Sequence, residues 1–400
     1  RGGRFMYALD VTNHDAPKFL WRRGCYSSGT CDTGYSEIGQ TWSTPTIGLF
    51  QATDAGNGTT PVLIFGGGYD ATSEDAEPPA TADTMGRAVY FVNALTGDVL
   101  WSVGKQNTTV TDSRLTFAFT ADVLAVDRHQ TGFIDRVYAA DIGGNLWRID
   151  TSGTTTGSWS IHNIASVGGR TSTSAGRKFM FGPDMVVTQT GTFDAIVIGS
   201  GDREHPLASS TDAANTSNRA YMFIDPNVNT TGTDLNITES DLAAVDTTTT
   251  TPVDLTGKEG WFVALRSGEK VINGPIVVAS DMIFGTNQPC ASGKTNAAGD
   301  CDSSGTNLTC TGNLGIARRY DINFLTAAPA GFTDTSGTSV RSEIAAGGGF
   351  LPSPVAGEVN INGTPYTFIT DNPLSPGGVI SPTITVSKTR FRTYWHEILE

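Results

Sequence analysis

Short apolar runs separated by polar, turn-forming residues recur along this chain. Runs such as residues 121–126 (ADVLAV) and 195–201 (AIVIGSG) are rich in apolar and β-branched residues, and Gly, Ser, Thr and Asp bound them. This pattern predicts short buried strands joined by polar turns. We find no amphipathic run of about twelve residues, which predicts a low helix content.

The stretch from residue 136 to residue 149 predicts a tight hairpin. Residues 137–140 (VYAA) and 145–149 (NLWRI) form the two strands, and the sequence Ile142-Gly143-Gly144 forms the turn between them. Trp147 is placed to cover the sheet.

The same strand, turn and strand pattern recurs along the chain. The clearest copies begin with an Arg and end with a Trp, at residues 4–21, 87–101 and 136–147, and weaker copies lie at 219–225, 261–272 and 319–325. Self-similarity at roughly 40–85 residues with strands in each unit is typical of a β-propeller. A sandwich of ordinary hairpins is the alternative, but the repeated Gly-containing turn before Leu-Trp favours propeller blades.

Long polar segments interrupt this pattern. They are rich in Thr, Ser, Asn and Asp and lie at residues 70–84, 151–174, 206–218, 227–251 and 291–311. Because such a composition cannot bury a core, we expect surface-loop insertions that carry partner specificity.

Composition and charge narrow the possible functions. Only 16% of the 400 residues are charged, and the formal net charge is −14. A nucleic-acid binder or a protein of anionic membrane surfaces would show a basic face, so neither partner is expected. No apolar run is long enough to span a membrane. The first residues enter strand pattern at once, so we expect a mature or internal fragment of an exported protein.

Five cysteines lie in two polar loops. Cys25 and Cys31 are close in sequence and predict a disulfide in an oxidising compartment. Cys290, Cys301 and Cys310 leave one sulfur over, and Cys290–Cys310 is the preferred pair. No CxxC spacing occurs, so a zinc knuckle is not expected.

A candidate metal loop separates residues 121–126 from the hairpin. Oxygen ligands fall at alternate positions, with Phe133 contributing its backbone carbonyl: Asp127, His129, Thr131, Phe133 and Asp135. Gly132 permits the sharp turn that such loops require around Ca²⁺. The alternative is a polar turn in which Asp127 and Asp135 bond only backbone amides. A second spacing of this kind, at Asp300, Asp302, Ser304 and Gly305, has no closing carboxylate and is interpreted as a plain loop.

Catalytic signatures are weak. The segment HEILE at His396 lacks the second histidine of a zinc protease, and Gly199-Ser200-Gly201 lacks the spacing of a nucleophile elbow. We therefore do not expect an enzyme.

Several phrases together resemble the C-terminal β-propeller domain of the PilC/PilY family of type IV pilus factors. In family order they lie at residues 39–48 (GQTWSTPTIG), 63–70, 132–150 (GFIDRVYAADIGGNLWRID), 178–187, 197–207, 219–226, 260–277 and 390–399. The resemblance implies one modified seven-bladed propeller over residues 1–400, the C-terminal part of a larger secreted protein. It also implies calcium in the loop matched by Asp127, Gly132 and Asp135, whereas His129 and Thr131 depart from that family's ligands.

For function, the resemblance implies a pilus biogenesis factor outside the cell, at or near the pilus tip. Such a factor supports assembly against retraction and takes part in adhesion, with minor pilins and a host or abiotic surface as partners. Two other functions stay open. One is a pyrroloquinoline quinone dehydrogenase, although this chain has no adjacent cysteine pair, and the other is a sugar-binding propeller.

Overall fold

The structure is a computed structural model. It describes residues 2–27, 29–76, 79–171, 174, 176–188, 190–205, 216–246, 249–290, 315–345, 348–361, 364–370 and 379–380. Over this part of the chain the one α-helix is α1 (Ala71–Glu74), so the prediction of a low helix content is confirmed. None of the described helical segments has the length and apolar character needed to cross a membrane.

The described strands form seven sheets. The first sheet pairs β1 (Phe5–Asp10) with β2 (Lys18–Gly24). The second contains β3 (Thr46–Gly48), β4 (Val62–Gly66), β5 (Ala88–Asn93), β6 (Val99–Gly104) and β7 (Val110–Thr111). The third contains β8 (Leu124–Val126), β9 (Arg136–Ala140), β10 (Asn145–Asp150) and β11 (Ser160–Ser166).

The remaining sheets continue along the chain. The fourth contains β12 (Asp184–Val187), β13 (Asp194–Gly199), β14 (Arg219–Asp225), β15 (Ala243–Ala244) and β16 (Gly260–Ala264). A short sheet pairs β21 (Phe332–Thr333) with β22 (Ser339–Val340). The next sheet of five strands contains β17 (Lys270–Val271), β18 (Ile276–Val278), β19 (Asp281–Gln288), β20 (Ile316–Asn323) and β23 (Ser342–Ile344). The last contains β24 (Val355–Ile361), β25 (Thr364–Thr370) and β26 (Val379–Ile380).

Neighbouring residues on one strand belong to different cores, because side chains alternate across a sheet. Val137 on β9 packs with Trp101 in the core between the second and third sheets. The next residue, Tyr138, packs with Ile196 in the core between the third and fourth sheets. Val197 then belongs to the core between the fourth sheet and the sheet of β19 and β20. Consecutive sheets are therefore stacked face to face in chain order, as the blades of a propeller are.

Buried tryptophans join one sheet to the next. The indole N–H of Trp21 on β2 donates to the carbonyl of Ala94, in the turn after β5, at 3.0 Å. Trp261 on β16 repeats the contact with the carbonyl of Phe324, in the turn after β20, at 2.9 Å. The recurring Trp in the sequence thus marks contacts between sheets.

The predicted hairpin at residues 137–149 is confirmed, with β9 paired antiparallel to β10. Its turn depends on Asp141, a buried residue that the sequence reasoning missed. The Asp141 carboxylate accepts hydrogen bonds from the amides of Gly143 and Asn145 at 2.9 and 3.1 Å and from the indole of Trp147 at 2.9 Å. Burial raises the pKa of Asp141 to about 6, although these hydrogen bonds lower it.

Two sequence expectations need correction. The strand predicted over residues 121–126 begins only at Leu124. The segments 70–84 and 151–174 are not purely surface insertions. Glu74 and Asp83 are buried in the first of these segments, and the second contains β11 with the buried Trp159 before it. Cationic partners make the burial of the two acids possible, as described below.

The predicted disulfide is present, with the sulfur atoms of Cys25 and Cys31 2.00 Å apart. Cys290 is disulfide-bonded as well. Cys301 and Cys310 lie outside the described residues, as do the second calcium-like spacing at 300–305 and the terminal phrase at 390–399.

Candidate functional site

The candidate metal loop, residues 127–135, connects β8 to β9. Asp127 accepts hydrogen bonds from the backbone amides of Thr131 at 2.8 Å and Gly132 at 2.6 Å. Gly132 has a φ of +87°, in the left-handed region that glycine adopts without strain. The Asp127 carboxylate therefore fixes the turn from inside.

Three of the five predicted ligands converge. The hydroxyl oxygen of Thr131 lies 3.4 Å from Oδ1 of Asp127 and 3.5 Å from the carbonyl oxygen of Phe133. A carboxylate, a hydroxyl and a carbonyl oxygen at this separation are a donor set that suits a hard cation.

Asp135 and His129 form a separate pair. Asp135 accepts hydrogen bonds from the amides of Arg128 at 3.0 Å and His129 at 3.1 Å, and its Oδ2 lies 2.5 Å from Nδ1 of His129. The ring of His129 is thus directed at a carboxylate. Within the described ranges, no three His, Cys, Asp or Glu side chains are grouped so that they could hold a metal ion. Calcium binding here would use Asp127, Thr131 and Phe133, and Asp135 would have to exchange its amide donors for the ion.

Arg128, inside the loop, connects it to a buried ionic network. Its guanidinium Nε lies 2.9 and 3.0 Å from the two carboxylate oxygens of Asp194 at the start of β13. Arg136, at the start of β9, reaches the same carboxylate at 2.7 Å. Burial raises the pKa of Asp194, even though both arginines oppose that shift. The loop is therefore tied to the neighbouring blade by charge.

The network continues along β10. Arg148, whose side chain is fully buried, lies 2.7 Å from Asp150 and 2.8 Å from Asp225 at the end of β14. The hydroxyl of Tyr138 donates to Asp225 at 2.9 Å. Burial disfavours the Asp225 carboxylate, but the charge of Arg148 together with the hydrogen bonds from Asn227, Arg148 and Tyr138 outweighs burial and lowers the pKa of Asp225.

A second loop closes over this network. Arg148 donates to the carbonyls of Asn227 and Thr230, both at 2.8 Å, and the amide of Gly232 donates to Asp150 at 2.7 Å. Between the two loops lies a small polar cavity of about 190 Å³. Its lining joins both loops: His129, Asp135, Arg136, Asp150, Ser152, Asn229, Thr230 and Thr231.

The sequence reasoning placed the loop but missed the arginines and aspartates behind it. A signal for them exists, because single Arg and Asp residues lie in or at the ends of otherwise apolar strands, as in RVYAA, NLWRID, DAIVIG and RAYMFID, in a chain with only 16% charged residues. Charged residues are rarely buried unless they are paired, so each of these positions implies a partner. The partners lie 58 to 77 residues away, at Asp194 and Asp225.

Consecutive face-to-face sheets with Trp-linked turns define this chain as a β-propeller protein. The crystal structure of the Pseudomonas aeruginosa PilY1 C-terminal domain superposes with a TM-score of 0.63 at 16% identity, over 93% of this chain and 79% of that one. This likeness confirms the predicted fold class. The seven-blade count stays a prediction.

Two curated relatives carry the identification further. A type IV pilus biogenesis factor PilY1 homolog of Xylella fastidiosa is 25% identical over 340 residues, which is 74% of this chain. The type IV pilus biogenesis factor PilY1 of P. aeruginosa is 28% identical over 154 residues, which is 38% of this chain. They support the predicted resemblance to the PilC/PilY family.

The matched stretches span only 20% and 11% of the lengths of these two relatives. No protein-family model matches the chain.

Proposed function

We propose that this chain is the propeller of a type IV pilus biogenesis factor. The observation that carries the proposal is the sequence match over 340 residues to a protein of that name. The segments across residues 39–277 that resemble the PilC/PilY family in the same order support it. They include both turn residues and buried strand residues.

We further propose that the protein works outside the cell, at or near the pilus tip, where it supports assembly against retraction and contributes to adhesion. The Cys25–Cys31 disulfide supports an oxidising location. Minor pilins at the tip and a host or abiotic surface are the proposed partners. The loops at residues 127–135 and 226–232 are the proposed sites of regulation.

Calcium is the proposed regulator of the first loop. The oxygens of Asp127, Thr131 and Phe133 converge there, and Arg128 ties the same loop to Asp194 on the neighbouring blade. Binding of a cation at Asp127 would reorder a segment that contacts two blades, and so could alter a partner surface.

The experiment removes the coding sequence of this propeller from its gene in the source bacterium. We expect loss of surface pili while the retraction motor is active, and recovery of pili when the motor is also deleted. Surface attachment is then measured in the motor-deleted strain, where pili are present whether or not the propeller is. Reduced attachment there would assign adhesion to the propeller independently of assembly.

The control restores the gene with Glu259→Gln, a substitution of an exposed carboxylate far from the loop in sequence. This strain should have normal pili. Unchanged piliation after removal of the propeller would contradict the proposed role in assembly, and pili that stay absent without the motor would contradict opposition to retraction.

A further inference from the structure

A second group of buried charges lies apart from the loop network. It centres on Lys178, whose side chain is fully buried. Its ammonium group lies 2.8 Å from Glu74, 2.9 Å from Asp202 and 3.9 Å from Glu204. Three further residues complete what we call the Lys178 cluster, which contains Glu74, Asp83, Arg170, Lys178, Asp202, Glu204 and His205.

The Lys178 cluster is built from several sheets. Glu74 lies in α1, between β4 and β5 of the second sheet. Arg170 and Lys178 follow β11 of the third sheet, and Asp202 to His205 follow β13 of the fourth. Lys270 on β17 reaches the carbonyl of His205 at 2.6 Å. Together with Lys270, the cluster therefore joins segments of four successive sheets.

Its carboxyl groups outnumber its permanent cations. Glu74, Asp83, Asp202 and Glu204 face Lys178 and Arg170, with Arg170 2.5 Å from Glu74. Asp83 adjoins Glu74, and Glu204 adjoins Asp202, each within hydrogen-bond reach.

Several oxygens of these acids have no donor. One oxygen each of Asp83 and Asp202 and both oxygens of Glu204 are buried without a hydrogen-bond partner. Two adjacent buried carboxylates repel each other, whereas a proton between them removes one charge and supplies the missing donor.

We propose that the Lys178 cluster is a proton-binding junction between blades, in which Asp83 carries a proton at neutral pH, Glu204 gains one as the pH falls below neutrality, and Glu74 and Asp202 pair with Lys178. Each proton then bonds the neighbouring carboxylate. The two remaining negative charges balance Lys178 and Arg170. Cohesion between the blades therefore depends on pH.

The pKa shifts have the required directions. Burial, and then the charge of Asp202, raises the pKa of Glu204 to about 7. Burial, and then the charge of Glu74, raises the pKa of Asp83 to about 9. Burial opposes ionisation of Asp202, but its hydrogen bond from His205 and the charge of Lys178 outweigh burial and lower the pKa of Asp202.

The other groups around the cluster do not reverse this effect. The hydrogen bond to Asp202 raises the pKa of His205, so the folded chain favours the imidazolium. Burial lowers the pKa of Lys270, so this group opposes the effect, but only as the pH rises toward the ordinary lysine pKa of 10.5. Tyr69, which also faces Glu204, has a raised pKa because it is buried, and its phenol stays neutral.

The sign of the pH effect follows. A carboxyl whose folded pKa lies above its unfolded value binds a proton more tightly in the folded chain. The free energy of unfolding therefore increases as pH falls. The contribution of Glu204 is lost as pH rises through about 7, and that of Asp83 as pH rises through about 9. Glu204 alone should change the folding equilibrium constant roughly tenfold between about pH 9 and about pH 6.

The test measures urea unfolding of the 400-residue chain across that pH range. The wild-type chain should be more stable at the acidic end, by at least about tenfold in the equilibrium constant. Glu204→Gln keeps the shape and a donor but cannot titrate. The change in its folding equilibrium constant between about pH 9 and about pH 6 should therefore be about tenfold smaller than that of the wild type. Asp83→Asn should flatten the curve over the whole of this range, because between about pH 4 and about pH 9 Asp83 binds its proton in the folded chain and not in the unfolded chain. The exposed Glu259→Gln should follow the wild-type curve.

Infrared difference spectroscopy of the folded wild-type chain provides a measurement that needs no variant. Raising the pH through neutrality should remove a carbonyl band of a buried protonated carboxyl. Absence of that band, a wild-type stability that is flat or rises with pH, or a folded Glu204→Gln chain with the full wild-type pH dependence would each overturn the proposal.

Discussion

At the scale of single residues, one carboxylate serves two needs in the candidate loop. Asp127 holds the turn by accepting the amides of Thr131 and Gly132, and it is also the proposed first ligand of calcium. The amide contacts need only an oxygen acceptor, whereas attraction of a divalent cation needs the negative charge. Substitution can therefore separate the two roles.

We expect calcium to raise the melting temperature of the chain, and Asp127→Ala to abolish the increase. Asp127→Asn keeps an acceptor oxygen, so without calcium its melting temperature should stay close to that of the wild type. Asp127→Ala should instead destabilise the loop by about 1–2 kcal/mol, because two amides lose their acceptor. Thermal melting with calcium and with a chelator measures both effects.

The matched control is Asp334→Asn. Asp334 also accepts two loop amides, those of Ser336 and Thr338, both at 2.9 Å, but it lies in the turn between β21 and β22. This variant should keep the full calcium response. A wild-type melting curve that is the same in calcium and in chelator would contradict calcium binding at this loop.

The second prediction at this scale concerns Asp225. Asp225→Asn leaves the buried Arg148 with Asp150 as its one remaining carboxylate, and breaking a buried ion pair costs about 3–5 kcal/mol. We expect a loss of stability of that order in urea unfolding. Since the pKa of Asp225 is lowered, the contribution of this group is present at neutral pH and is lost as pH falls into the acidic range.

The control is Asp98→Asn at an exposed ion pair, where Arg23 lies 3.0 Å away and 64% of the Asp98 side chain is accessible. Exposed pairs contribute little, so this variant should unfold almost as the wild type does. Equal losses at Asp98 and Asp225 would contradict the importance assigned to the buried network.

At the scale of elements, the contact between sheets depends on the indole N–H of a buried Trp. Trp261 on β16 donates to the carbonyl of Phe324, in a turn that another sheet supplies. Trp159, which precedes β11, is also buried, but its indole N–H has no hydrogen-bond partner. These two residues separate the hydrogen bond from the packing of the ring.

We expect Trp261→Phe to destabilise the chain more than Trp159→Phe does. Both substitutions shrink a buried ring, but only the first leaves a carbonyl without its donor, at an added cost of about 1–3 kcal/mol. Urea unfolding of the two variants measures the difference. A smaller loss at Trp261 than at Trp159 would show that the hydrogen bond between sheets is unimportant.

At the scale of the whole molecule, charge is divided between a buried and an exposed population. The chain carries a formal net charge of −14, while the ion pairs at Arg148 and Lys178 have fully buried cations. Salt screens exposed charges far more than buried ones. Salt should therefore weaken the repulsion between surface carboxylates and leave the buried pairs largely unchanged.

We expect the melting temperature, measured with chelator present, to rise as sodium chloride increases from about 0.05 M to about 0.5 M. The loss caused by Asp225→Asn should be nearly the same at both concentrations. A melting temperature that falls with salt would mean that exposed ion pairs, rather than the buried ones, hold the blades together.

The sequence by itself determined most of the strands, the hairpin at 137–149, the Cys25–Cys31 disulfide and the resemblance to the PilC/PilY family. Each depends on alternation, turn residues or neighbours only a few positions apart, which local physics specifies. The candidate metal loop at 127–135 could be placed from its spacing, but the direction of its side chains could not. Asp127 and Asp135 accept backbone amides, and that choice is made only when the turn forms.

Only the tertiary structure decided where the charges lie. Glu74 and Asp83 fall in a polar segment that composition alone assigns to the surface, yet both are buried near Lys178 and Arg170, about a hundred residues further along the chain. Burial of a charge is possible only where an opposite charge or a proton neutralises it. Stacking of the blades brings the cations Lys178 and Arg170 to these acids. The pairing of distant charges is therefore a property of the assembled sheets.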